Sequence, residues 1–336
     1  MFALHRAFAK FVFMGIVILG TLLFSVPVYG QYAARDALSL FPGDTQQMAY
    51  TSLVELRTLP QYPLIHQHLL SPQLRNLETF LKSAGMDPEK NVDELVLGWR
   101  GQVQDQTRFF GMAEGRFDPG KMQDYYVKSQ LPVQTYGGYD LYAFGSGASQ
   151  SGLFFTFFDY STAAFGELAD IKALVDVKNG QRVAIGSNDD FRAWEGNLEG
   201  IAPQWGIATG QAAGNLAIPW LTGGGKSQLD PNLVFAAVKA VLYRVTWNSG
   251  VVAHLSVMCQ NLEAANGIGQ LLTMLKNSQA TVAQKNSLGP ALAQVLQNLT
   301  IAVDGSQVNL DASTSVTDLA QLLTAPMTKT ARPATR

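Results

Sequence analysis

Downstream of residue 40 the chain switches repeatedly between alternating and helical hydrophobic periodicity. TQQMAYTSL (45–53) alternates as a strand. From Pro63 to about Gly85, Leu70, Leu74, Leu77, Phe80 and Leu81 recur at helical spacing, and Gly85 supplies a stop. ELVLGWRG (94–101) and TRFFGMAEGRF (107–117) then read as two strands of a hairpin. Asp118 followed by Pro119 caps a helix that runs to about Ser129. LPVQTYGGYDLYAFG (131–145) is a second hairpin, turned at Gly137-Gly138.

The same order of parts then recurs. PQWGIATG (203–210) is a strand, and 211–221 and 231–240 are helical pieces around a glycine run. AVLYRVTW (240–247) and VVAHLSVMC (251–259) form a hairpin, and Asn261 caps a helix reaching about Lys276. LTIAVDGSQVNLDAS (299–313) is a last hairpin, turned at Asp304-Gly305. Each half reads β-α-ββ-α-ββ, which predicts an α+β protein of two similar halves, with largely antiparallel sheet and helices packed on one face. The expected boundaries are 41–150 for the first repeat, 151–202 for a connecting strand and two helices (162–176 and 188–199), and 203–326 for the second repeat. The polar tail 327–336 is expected to be disordered.

Residues 1–30 follow a different pattern. Arg6 and Lys10 precede an apolar block from Phe11 to Val26, and Pro27 and Val28-Tyr29-Gly30 follow. That is the layout of a secretory leader with a small-residue cleavage region. An uncleaved anchor is the competing reading, because no charge intervenes between Lys10 and Arg35 and a hydrocarbon core of about 30 Å is within reach of such a helix. Both place the rest of the chain outside the cytoplasm: periplasmic, cell-surface or tethered to the inner membrane through the N-terminal segment.

Composition narrows the chemistry. With 336 residues, 47% of them hydrophobic, the chain buries a sizeable core, and with 15% charged residues and a net charge of -2 it has no field that selects nucleic acid. Cys259 is the single cysteine, so no intramolecular disulfide forms. Four histidines leave little material for metal sites.

The apparent motifs fail on spacing. LTGGGKSQ (221–228) ends like a phosphate-binding loop, but GxxxxGK[ST] places a glycine where this chain has Trp220. No nucleotide is expected. His66 and His68 sit two apart inside the predicted helix and diverge around its axis, so they do not chelate as a pair. His254 and Cys259 lie five apart on one strand and leave opposite faces, so the cysteine is expected to be buried and structural. Asp189 and Asp190 follow Asn188 at a helix start, where capping accounts for them. Glu114 and Arg116 share a strand face and are expected to form an exposed ion pair. No catalytic residue, cofactor or metal ligand is assigned.

Aromatic residues are the remaining clue. They concentrate in the hairpins of the first half, where Trp99, Phe110, Tyr136, Tyr139, Tyr142, Phe155 and Phe157 outline a possible apolar binding surface for a ligand or a protein partner. LFFTFFDY (153–160) has large side chains on both faces and must be covered or meet a partner.

FPGDTQQMAYTSLVEL, soon after the N-terminal apolar block, resembles the start of uncharacterised bacterial envelope proteins that open with a proline-x-aspartate-threonine step, here Pro42, Asp44 and Thr45. The resemblance covers about sixteen residues and implies an exported α+β domain with no catalytic residues to transfer. The expected function is non-enzymatic binding or scaffolding in the envelope. The alternatives are a carrier of an apolar ligand on the first sheet, marked by an internal cavity of some hundreds of cubic ångströms, and a hydrolase assembled from dispersed Asp, Glu and Ser residues.

Overall fold

A computed structural model describes residues 31–69, 72–100, 109–144, 152–198, 200, 202–221, 231–247, 250–283 and 289–319. The N-terminal apolar block, the glycine run at 223–225 and the tail 327–336 lie outside the described residues. The described chain divides into two compact units, one ending at Ala208 and the other beginning at Thr209. Among the described residues no helix is long and apolar enough to cross a membrane.

The protein is α+β with antiparallel strand pairing, and the predicted order of elements occurs twice. In the first half, β1 (Thr45–Ser52) is followed by four helices, α2 (Leu53–Arg57), α3 (Tyr62–Leu69), α4 (Pro72–Ser83) and α5 (Pro88–Asn91). The hairpin β2 (Val92–Arg100) and β3 (Phe110–Gly115), the helix α6 (Pro119–Lys128) and the hairpin β4 (Val133–Tyr136) and β5 (Tyr139–Ala143) complete it. In the second half, β8 (Gln204–Thr209) leads to α9 (Gly210–Leu221) and α10 (Pro231–Ala237), then β9 (Val238–Trp247) and β10 (Val251–Cys259). The helices α11 (Leu262–Ala283) and α12 (Gly289–Asn298) and the hairpin β11 (Thr300–Asp304) and β12 (Gln307–Thr314) close it. Strand order repeats as well: β9-β10-β12-β11 in one unit matches β2-β3…β5-β4 in the other.

The first unit carries elements that its repeat lacks. A helix α1 (Tyr32–Leu40) precedes β1 and packs Ala33, Ala34, Ala37 and Leu40 inward. A hairpin of β6 (Leu153–Phe157) and β7 (Thr162–Glu167) is inserted between β3 and β5, giving the order β8-β1-β2-β3-β7-β6-β5-β4. The sequence reads 162–176 as helix, because TAAFGE is alanine-rich. In the fold this segment is the strand β7 and only then the helix α7 (Leu168–Lys178). Its alanines serve close strand packing: Ala163 and Ala164 face Ala113 and Met112 across the β3 ladder. The single helix predicted over 63–85 is two helices, α3 and α4. The predicted caps are present: Asp118 and Asn188 accept from the backbone N–H of Lys121 and Phe191, the latter in α8 (Asp189–Gly196). Gly137 and Gly138 take positive φ of 57° and 89°, which only glycine adopts cheaply at both turn positions.

Helices cover one face of the second unit's sheet, as expected, but both faces of the first. In β10, Val251, Ala253, Leu255 and Val257 turn inward, and His254, Ser256 and Met258 sit on the half-exposed side. That outer side carries a polar ladder, in which Ser256 Oγ donates to Asn309 Oδ1 at 2.8 Å and His254 pairs with Asp311. In the first unit, alternation along β2 sends Glu94, Val96 and Gly98 to one face and Leu95, Leu97 and Trp99 to the other. The Val96 face is sealed by α1 and α7. A side chain at Gly98 would meet the rings of Phe110 and Phe41 at 2.6 and 2.8 Å, so glycine lets these rings close over the strand. The Leu97 face packs against an aromatic cluster from α4, α6, β5 and the inserted hairpin, including Leu77, Met122, Tyr126, Tyr142, Phe155 and Phe165.

Candidate binding cleft

Two buried polar anchors fix the sealed face. Glu94, 8% exposed, accepts from the Ala33 backbone N–H at 2.8 Å and from the Tyr50 hydroxyl at 2.8 Å, which pins α1 to the sheet. Burial pushes the Glu94 carboxyl up, opposed by those two hydrogen bonds. Gln31 Nε2 donates to Ala202 O at 3.1 Å and its Oε1 accepts from Trp205 Nε1 at 2.8 Å, so the first described residue is already part of the core.

The opposite face is incompletely filled. A cavity of about 120 Å³ lies between this face of the sheet and the helices α3–α5. Its floor comes from strands, with Leu95, Ala113, Phe155, Phe157, Ala163 and Phe165, and its walls from Leu74, Leu77, Leu81 and Met86. Among the described residues, no serine, threonine or cysteine lines it. The burial pattern records the same opening: Leu95, Leu97 and Trp99 are only half-buried, whereas Glu94, Val96 and Gly98 are buried.

Polar side chains gather at one side of this cavity. His66 on α3 points Nε2 at two carboxylates, Glu89 Oε1 on α5 at 2.6 Å and Glu78 Oε2 on α4 at 3.3 Å. Tyr62, one turn before His66, donates its hydroxyl to Glu89 at 2.7 Å. Burial, reinforced by Glu89, pushes the Tyr62 phenol well above its ordinary value. Arg57 Nη2 donates to the carbonyls of Val92 at 2.5 Å and Pro88 at 3.2 Å, and its Nε lies 3.8 Å from Glu89 Oε2. Lys82 Nζ is 2.6 Å from Glu78 Oε1. The cavity is thus apolar inside and carries a compact set of hydrogen-bonding and charged groups at its rim.

The seven aromatic positions singled out from the sequence fall into two groups. Tyr142 and Phe155 are buried members of the cluster beside the cavity, their rings stacked with centroids 5.3 Å apart, and Trp99 and Phe157 pack against it. Phe155 and Phe157 line the cavity directly. Phe110 is buried on the opposite face, edge-on to Phe41 at 4.8 Å. Tyr136 and Tyr139 join it there, Tyr136 donating to Asp176 Oδ1 on α7 at 2.8 Å and Tyr139 lying 5.2 Å from Phe158. One surface does not collect all seven, because residues an odd number apart on a strand leave it on opposite sides.

Other expected sites resolve as follows. His66 lies on α3, half-buried at the rim, and the orientation of the His68 side chain lies outside the described residues. Cys259 is free and buried, 2% exposed, on the covered face of β10, and burial pushes its thiol up; His254 leaves the other face. Glu114 is not paired with Arg116: its Oε1 accepts from Thr162 Oγ1 at 2.8 Å, and Arg116, beyond the end of β3, approaches Asp93 at 3.8 Å. Burial, with Asp36, Asp159 and Glu94 nearby, pushes the Glu114 carboxyl up to about 7. The Pro42–Thr45 step is a tight turn into β1, in which Thr45 donates both its hydroxyl, at 2.6 Å, and its backbone N–H, at 2.9 Å, to Pro42 O.

No protein-family model matches the chain. No curated protein matches it either. Among solved structures, "Structure of crystal form I of TP0453" is similar at 12% identity and a TM-score of 0.50, covering 86% of this chain and 96% of that one. "Structure of crystal form III of TP0453" is similar at 12% identity and a TM-score of 0.51, covering 86% and 97%. At this identity the likeness is one of fold.

Proposed function

We propose that this chain is an exported bacterial envelope protein without catalytic activity, and that it seats one apolar group of a ligand in the cleft of its first unit. The observation that carries the reading is the unfilled apolar cavity of about 120 Å³ on one sheet face, beside a sealed opposite face. Protein interiors leave few voids larger than a water molecule, so such a space in a well-packed aromatic layer favours an occupant. Apolar voids on the order of 150 Å³ hold a benzene ring, so this one fits a ring or the end of an alkyl chain, with the rest of the ligand outside. That is less than the few hundred cubic ångströms of a site enclosing a whole ligand. The described lining of the cleft offers no hydroxyl or thiol nucleophile of serine, threonine or cysteine, which favours binding over covalent hydrolysis. Export rests on the leader-like residues 1–30, and a chain beginning at Gln31 retains the first residue anchored in the core.

The test is a titration of the purified chain with the apolar fluorophore 1-N-phenylnaphthylamine. Saturable binding that falls at least tenfold in Ala113→Leu, which fills the cavity floor, is the expected result. No saturable binding, or binding indifferent to that substitution, contradicts the reading. Fractionation of the native host with intact-mass analysis tests the address: the protein is expected outside the cytoplasm, and a soluble cytoplasmic chain retaining Met1 contradicts export.

A further inference from the structure

We propose that His66, Glu78 and Glu89 form a binding site for a divalent transition-metal ion, and specifically for Zn2+. Each comes from a different helix, α3, α4 and α5, yet one ligand atom of each lies within 4.8 Å of the other two. His66 Nε2 is 3.3 Å from Glu78 Oε2 and 2.6 Å from Glu89 Oε1. Ligands bound to zinc tetrahedrally at about 2.0–2.2 Å stand roughly 3.3–3.6 Å apart, so the first spacing fits, the second needs an opening of less than about 1 Å, and the two carboxylates, within 4.8 Å of each other, close by at most about 1.5 Å.

The electron count favours a cation here. With its proton on Nδ1, His66 presents the Nε2 lone pair to the space shared with the two carboxylate oxygens, so three electron-pair donors converge. A divalent ion accepts all three without displacing a proton. The remaining carboxylate oxygens are already oriented by neighbours, as outer partners orient metal-binding carboxylates: Lys82 holds Glu78 Oε1 at 2.6 Å and Tyr62 holds Glu89 Oε2 at 2.7 Å. Imidazole with two carboxylates suits zinc, and three protein ligands leave a coordination position open beside the apolar cleft.

The experiment uses metal ions alone, Zn2+ and its spectroscopic substitute Co2+, so its result is independent of whether the cleft takes a ligand. The untagged full chain, freed of metal with a chelator, is titrated with Zn2+ by calorimetry and with Co2+ by visible absorption. One equivalent is expected to bind, with a Co2+ spectrum that disappears in His66→Ala. Affinity is expected to fall at least 100-fold in His66→Ala and in Glu89→Gln, and about tenfold in Tyr62→Phe, a residue that acts through Glu89. Glu78→Gln, which preserves shape, gives the same loss should His66→Ala fail to fold, with far-UV circular dichroism as the check. His254→Ala, at the other His-carboxylate pair, is expected to change nothing. Absence of Zn2+ binding, or binding that survives in folded His66→Ala and Glu78→Gln, overturns the site.

Discussion

The two halves share an order of elements and differ in what fills the space between the first strand and the following hairpin. In the first half, residues 53–91 form four helices that carry Arg57, Tyr62, His66, Glu78 and Glu89 to the rim of an apolar cavity. In the second, α9 and α10 occupy the corresponding place with GQAAGNLAIPWL and PNLVFAA, which contain no charged residue, and they pack through small side chains such as Ala212, Ala213 and Val234. The second half has a larger hollow, about 370 Å³, beside α11 and β11, but Asn266, Gln270, Thr273 and Asn277 make its edge polar and it is open to solvent. A repeated scaffold therefore supplies stability twice, and among the described residues it is the first copy that combines a void with a convergent polar rim. In the proposed reading, the binding site follows the connecting segment and not the sheet.

Predictions that would break this contrast begin with the aromatic layer. Phe155→Ala removes a ring that meets those of Phe80, Tyr126, Tyr142 and Phe157. It is expected to cost about 3–5 kcal/mol in denaturant unfolding. A loss below about 1 kcal/mol would mean that the layer is loosely packed and the cavity unremarkable.

A glycine pair sharpens the comparison by sign. A side chain at Gly111 would stand 2.5 Å from the Phe165 ring and 2.6 Å from the Val96 carbonyl, which as backbone cannot yield. Gly111→Ala is expected to destabilise by about 1–3 kcal/mol. At Gly267, inside α11, nothing lies within 4 Å, and Gly267→Ala is expected to stabilise by about 0.5–1 kcal/mol. Equal effects at the two sites would contradict the close strand packing inferred for the first unit.

Smaller effects follow from the half-buried Glu114 and the buried Cys259. Glu114 keeps its proton to about 7 in the fold, against 4.5 for the ordinary group, so between these values the native state binds more protons than the unfolded chain. Stability from this group is therefore greatest below pH 4.5 and declines as pH rises to about 7. Glu114→Gln, which can still accept from Thr162, is expected to raise stability by about 1 kcal/mol at pH 8, a figure discounted for partial solvent access, and to change little at pH 4. Thermal melts at the two pH values check the sign. Cys259→Ala, far along the chain from the cleft, is expected to cost about 1 kcal/mol and to leave phenylnaphthylamine binding unchanged. Loss of binding in a folded variant would place the cleft elsewhere.

Much of this architecture was legible because its punctuation is local. Asp118-Pro119, Asn188 and Asn261 begin helices, and Gly137-Gly138 and Gly305 turn hairpins, each for reasons confined to a few residues. What escaped depended on partners distant in sequence. TAAFGE reads as helix until Met112 and Ala113 and the partner strand β6 flank it. The helix α1 does carry a local signal, apolar Ala33, Ala34, Ala37 and Leu40 at helical spacing. The polar rim was invisible for a similar reason: Glu78 and Glu89 carry no local pattern, and His66 reads as an ordinary helical histidine until three helices bring these residues together. The aromatic cluster was legible as composition, but its division between two faces followed only from the register of β2, β3 and the inserted hairpin.

The most direct test of the account is photo-crosslinking with an alkyl diazirine, followed by mapping of the labelled peptides. Label is expected on residues 53–95 and 113–165, saturating with probe concentration and suppressed by Ala113→Leu. Label concentrated between residues 266 and 303, on the open hollow of the second half, or label in the first half that ignores the filled cavity, would contradict it.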